Sequence, residues 1–133
     1  MEKRERVERT EHNETGSIRI ADEVVGIIAG LAATEVTGVA GMSAGLVGGI
    51  AEMLGKKNLS KGVKVEVGER EAAVDLYIIV EYGVRIPDIA LRVQENVKRA
   101  IETMTGLDVV EVNIHVQGVG FGHDGEERDI RVR

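Results

Sequence analysis

From residue 63 onward the chain places an apolar side chain at every second position, and it keeps that spacing through two successive runs. Val63, Val65 and Val67 alternate with Lys64 and Glu66; beyond Gly68-Glu69-Arg70-Glu71, the series Ala72, Val74, Leu76, Ile78 and Val80 alternates with Ala73, Asp75, Tyr77, Ile79 and Glu81. Side chains of a strand point alternately to its two faces, so this spacing predicts two half-buried strands joined as a hairpin. Val110, Val112, Ile114 and Val116, set against Glu111, Asn113, His115 and Gln117, predict a final strand of the same kind. A sheet with one apolar face needs a cover, and that need constrains the rest of the chain.

Two segments with helical spacing supply the cover. Ser17-Ile18-Arg19-Ile20 alternates as a short strand and leads into Asp22 and Glu23, acids that suit a helix N-terminus. Val24, Ile27, Ile28 and Leu31 follow at helical spacing, with Val25 and Val36 widening the stripe, and predict a helix over 22–36 that stops at Gly38. Gly26, Ala29, Gly30, Ala32 and Ala33 leave one flank of this helix smooth, ready for close packing by the sheet or a second copy. A second helix opens at Ile86-Pro87-Asp88, with proline in its first turn, and closes at Gly106. Its core stripe reads Ile89, Val93, Val97, Ala100, Ile101 and Met104, while Arg92, Glu95, Lys98, Arg99 and Glu102 face water. The fold class is therefore α+β: a two-layer sandwich, mainly antiparallel sheet with two helices on one face, in the order β-α-(Gly-rich segment)-β-β-α-β.

The ends read differently. Residues 1–15 mix acids and bases with Val7 as the sole sizeable apolar side chain after Met1, and residues 123–133 are similarly charged, so both are expected as charged flexible tails around a single domain over 16–122. Within that domain, residues 38–62 form a glycine-rich insert holding seven of the chain's 17 glycines, with no charge between Glu35 and Glu52. Glycine weakens regular elements by roughly 0.5–1 kcal/mol relative to alanine, so this density points to an unusual backbone path.

Composition removes several function classes. With no cysteine, a disulfide framework, a thiolate zinc site and a cysteine nucleophile are all excluded. The uncharged run 36–51 is shorter than the roughly 20 residues a helix needs to span a bilayer. The N-terminal residues carry no apolar h-region, so neither a signal peptide nor an N-terminal anchor is expected and the location is cytoplasmic. A net charge of -6 opposes unspecific attraction to phosphate, and Tyr77, Tyr82 and Phe121 are too few to build a base-stacking platform.

Three kinds of site remain. The polar sheet face, with Lys64, Glu66, Asp75, Tyr77, Glu81, Glu111, Asn113 and His115, is either solvated or a partner surface, and Tyr77, Ile79 and His115 are its candidate contacts. His115 has Glu111 or Asp75 as a possible carboxylate neighbour, but one histidine without further converging ligands predicts no metal, no cofactor and no catalytic residue. Leu46, Val47, Ile50, Met53 and Leu54 have amphipathic helical spacing and are candidates for docking on a membrane surface or a partner, or for folding back over the small-residue flank of the first helix. The competing reading is a KH-like RNA-binding module, using the Gly45–Gly48 GxxG and the cluster Lys56, Lys57 and Lys61. Acidic balance and the apolar Leu46 and Val47 inside the GxxG argue against nucleic acid.

The order of the pieces also resembles a known family. The string GSIRIADEVVGIIAGLAATEVTGVAGM, followed by KVEVGEREAAVDLYIIVEYGVRIPDIALRVQENVKRAIETMTGLDVVEVNIHVQGVGF, is similar to the alkaline shock protein family of bacterial envelope stress proteins over roughly residues 16–121. The helix leading into Thr37-Gly38-Val39, the Val80-Glu81-Tyr82-Gly83 strand end, Val93-Gln94, and Thr105-Gly106-Leu107 through Val112-Asn113 carry the likeness. The insert ending GKKNLSKG resembles a cytosolic branch of the family, mainly in Gram-positive bacteria. The resemblance implies a non-enzymatic interaction, scaffold or regulatory module tied to envelope homeostasis or lipid metabolism. It also implies protein partners, self-association, and membrane contact only through a partner.

Overall fold

The structure, a computed structural model, describes residues 8–43 and 61–121. Its elements follow in the order β1 (Glu8–Asn13), β2 (Gly16–Ala21), α1 (Asp22–Thr34), β3 (Val39–Met42), β4 (Val63–Val67), β5 (Glu71–Glu81), α2 (Ile86–Thr105) and β6 (Asp108–Gly120). The expected α+β class and mainly antiparallel sheet are present. β5 is the central strand. β4 pairs antiparallel with its first half, from Val67 opposite Ala72 to Val63 opposite Leu76. β3 pairs antiparallel with its second half, from Met42 opposite Ile78 to Val39 opposite Val80. β6 runs parallel to β5 along the other side, which the helical crossover α2 makes possible.

The even-numbered residues of β5, from Ala72 to Val80, are all buried against the helices, as the alternation requires. Val25, Ile28, Val93, Val97 and Ile101 complete this core from α1 and α2. Pro87 lies in the first turn of α2, and Gly106 ends the helix in the left-handed conformation at φ 79°. Thr105 joins the two elements there: its Oγ1 donates to the Ile101 carbonyl at 2.7 Å and accepts from the Leu107 N–H at 3.1 Å.

Several expectations are corrected. In α1 the small-residue flank is the buried one: Gly26, Ala29, Gly30, Ala32 and Ala33 are covered, while Leu31 is 52% and Val24 43% exposed. Small side chains let α1 lie close to α2 and β4, and this gain from near approach decides which face turns inward. The flank is thus the face that α1 turns to α2 and β4. On α2, Met104 is exposed and Thr105 takes the last core position. In β6, register shifts near Ala72 and Ile78 send Val110 outward and put Val109 in the core.

Two strands lie where none was expected. Residues 8–13, read as part of a flexible tail, form β1, which pairs antiparallel with β2 from Glu8 opposite Ala21 to Asn13 opposite Gly16. The pairing is made by backbone groups, so a strongly charged sequence does not prevent it. β2 belongs to this separate ribbon and not to the main sheet. Residues 39–42, read as the start of the glycine-rich insert, form β3.

Candidate functional site

β3 and β4 lie end to end along the same side of β5, and the position opposite Tyr77 falls between them. In an uninterrupted antiparallel strand one residue would exchange both backbone hydrogen bonds with Tyr77. Here the duty is divided. The Ser43 N–H donates to the Tyr77 carbonyl at 2.8 Å, and the Tyr77 N–H donates to the Gly62 carbonyl at 2.9 Å. The chain leaves the sheet at Ser43 and re-enters at Gly62 at a single rung of the ladder.

Gly62 is the residue that makes this join possible. It is buried at φ +79°, and a Cβ there would sit 2.9 Å from the Ser43 carbonyl oxygen and 3.1 Å from that of Tyr77. These neighbours are backbone atoms and cannot swing aside.

The Tyr77 side chain projects from the same rung onto the sheet face away from the helices. Its ring stacks on that of His115, with centroids 4.4 Å apart and planes 11° from parallel. The two residues are opposite each other in the β5–β6 ladder, so the stack follows from register. His115 Nε2 lies 3.3 Å from Asp75 Oδ1, which resolves the two carboxylates suggested by sequence in favour of Asp75. Lys64 of β4 and Asn113 of β6 flank Asp75 on neighbouring strands. Ile79 lies one step along the same face, where Gly118 leaves space beside its side chain.

Tyr77, Ile79 and His115 are thus brought together on one half-buried patch. Leu46, Val47, Ile50, Met53 and Leu54 lie outside the described residues, as do Gly45, Gly48, Lys56 and Lys57. Lys61 is described and half-buried at the root of the insert. The patch offers ring faces, a carboxylate and an ammonium, chemistry suited to holding a polar or aromatic side chain of a partner. Among the described residues no group of three or more His, Asp or Glu side chains is arranged to hold a metal. No described helix is long and apolar enough to cross a membrane.

Sequence reasoning missed a second aromatic feature. Tyr82, 73% exposed, stacks on Phe121 with centroids 5.7 Å apart. The Tyr82 N–H donates to the Gly120 carbonyl at 2.8 Å, so backbone pairing aligns the two rings. No periodicity in the sequence marks it, because each ring sits at the end of its strand.

A family model described as the alkaline shock protein 23 family, cell envelope-related function, matches residues 10–121. The Bacillus subtilis protein YqhY is 42% identical over 122 residues, covering 90% of this chain and 90% of its own length. YloU of the same organism is 42% identical over 106 residues, with 78% of this chain and 88% of YloU covered. A stress response regulator gls24 homolog of Streptococcus pyogenes is 36% identical over 102 residues, 76% of this chain and 57% of that protein. Among solved structures, a variant of the MamM CTD matches with a TM-score of 0.46 and 15% identity, covering 73% of this chain and 95% of that one.

Proposed function

The chain belongs to the alkaline shock protein 23 family, with its cell envelope-related function, and from that membership we propose that it is a non-catalytic interaction module of the bacterial cytoplasm. It works as a scaffold or regulator for a protein partner in envelope stress homeostasis or lipid metabolism, associates with itself, and meets the membrane only through a partner. The partner surface is the Tyr77–His115–Asp75 patch together with the insert rooted beside it. One observation carries this reading: both ends of the insert hydrogen-bond to the backbone of Tyr77, whose ring stacks on His115. A partner gripping the insert therefore also meets the sheet face, so two modest surfaces act as one.

The test is a crosslinking pull-down from the native cells with three baits: the intact chain, a chain lacking residues 44–62, and Tyr77→Ala. The expected result is one set of proteins captured by the intact chain and lost with both variants. An unchanged set with both variants overturns the proposal.

A further inference from the structure

β6 is an edge strand whose two halves are treated differently. Along its first half, side chains of α2 occupy the outward backbone groups. Glu102 Oε2 accepts from the Val109 N–H at 2.9 Å, Lys98 Nζ donates to the Val109 carbonyl at 3.2 Å, and Gln94 Nε2 donates to the Val112 carbonyl at 2.9 Å. Beyond Val112, β6 has no strand on this side among the described residues. Successive residues of a strand alternate in direction, so Ile114 and Val116 turn their N–H and C=O groups to the same outer edge as Val112.

An open row of backbone groups is a template for another strand, and proteins usually blunt such rows with charge or proline. Residues 112–121 contain no Asp, Glu, Lys, Arg or Pro. Beside the row lies an open cavity of about 580 Å³ walled by Pro87, Ala90, Leu91 and Gln94 of α2, with room for the side chains of an added strand.

We infer that a second copy of the chain fills this edge, β6 against β6 in antiparallel register about a two-fold axis at His115, with Ile114 of one copy opposite Val116 of the other. Charge favours this edge over the exposed apolar stripe on α1. The stripe on α1, exposed at Val24 and Leu31, is bordered by Glu23 and Glu35, so a two-fold contact there brings carboxylates together in a chain of net charge -6. The β6 run brings none. The pairing is self-complementary, as a two-fold contact must be: each Ile114–Val116 rung occurs twice. This inference rests on the reading of the chain as a self-associating module and adds the surface that does it.

Sedimentation velocity of the full chain across a wide concentration range tests it. The expected mass rises from the 14.4 kDa monomer toward twice that value. Asn113→Lys combined with Gln117→Lys sets lysine against lysine across the axis, while the new ammonium at position 113 of each copy gains its own Asp75 as a partner; this variant is expected to stay monomeric with an unchanged circular dichroism spectrum. Because the chain has no cysteine, His115→Cys is expected to form an intermolecular disulfide under mild oxidation, and Val110→Cys, on the capped half, is not. A wild-type chain that is monomeric throughout overturns the inference. So does a dimer that survives the lysine pair but is lost with Leu31→Glu, which assigns the contact to α1. A chain that dimerises only when cut after Phe121 also overturns it, since residues 122–133 then hold the edge. Partner capture is read separately, so a dimer that captures nothing fails the proposed function and leaves the edge assignment standing.

Discussion

Deleting residues 44–62 and joining Ser43 directly to Val63 should preserve the fold and raise its stability. Ser43 already gives its N–H to the Tyr77 carbonyl, and in the joined strand its own carbonyl takes over from Gly62 as acceptor for the Tyr77 N–H. Residues 39–43 and 63–67 then form one continuous strand along β5, with both existing registers unchanged. What disappears is the entropy of closing a loop over residues 44–61. For a loop of that length the length-dependent part is about 2.5 kcal/mol, from (3/2)RT ln n. In a domain of this size that raises Tm by roughly 10 °C. Urea unfolding followed by circular dichroism is the assay, with the m-value expected to change little, since the reasoning gives the deleted residues no share in the surface exposed on unfolding. A loss of more than about 2 kcal/mol with a smaller m-value refutes the reasoning. It would mean that the deleted residues bury surface on the domain and belong to its core.

Other expectations follow from particular contacts. Gly62→Ala in the full chain is expected to cost about 1–3 kcal/mol, because the left-handed conformation and the two carbonyl oxygens leave no place for a methyl group; urea unfolding reads it. Thr105→Val removes a donor to Ile101 and an acceptor for the Leu107 N–H in a buried position, and about 1–3 kcal/mol of stability should be lost in the same assay. The Lys98 hydrogen bond, helped by that from the Val109 N–H, holds the Glu102 carboxyl below its ordinary value of 4.5. A carboxyl with a depressed folded-state pKa contributes stability fully above the unfolded value and loses it as pH falls through the folded one. Thermal unfolding should therefore lose stability less steeply below pH 4.5 in Glu102→Gln than in the natural chain, and equal slopes would remove Glu102 as a cause.

The parts of the fold legible in the sequence are those written in side-chain spacing. β4, β5 and most of β6 show period two, and α2 is bounded by Pro87 and Gly106. The parts that were not legible are held by backbone. β1 has no apolar alternation and exists through its hydrogen bonds to β2; β3 is four residues long and contains Gly41. The inward face of α1 was misjudged for a related reason: large side chains mark hydrophobicity, whereas small ones mark how near two elements can come. At the site, Tyr77, Ile79 and His115 were recognisable from alternation alone as sharing the polar sheet face. Their place at the root of the insert was not, because it depends on β3 and β4 sharing one side of β5, a long-range fact that no local pattern records.

Splitting one ladder position between Ser43 and Gly62 separates what the fold needs from what the inserted residues do. Among the described residues α1, α2 and the even-numbered residues of β5 bury one another, and the strand that the insert interrupts pairs on both sides of the break. The insert is nevertheless fixed at both ends to the central strand by bonds of 2.8 and 2.9 Å. Both anchors belong to the rung from which Tyr77 projects, and the entropic cost of closing a loop between them grows only logarithmically with its length. That combination explains how glycine-rich composition, a poor choice for any core, is tolerated in the middle of a sheet. On the proposed reading, a binding role for the insert and one for the sheet face are then not alternatives, since a partner held at the first would meet the second.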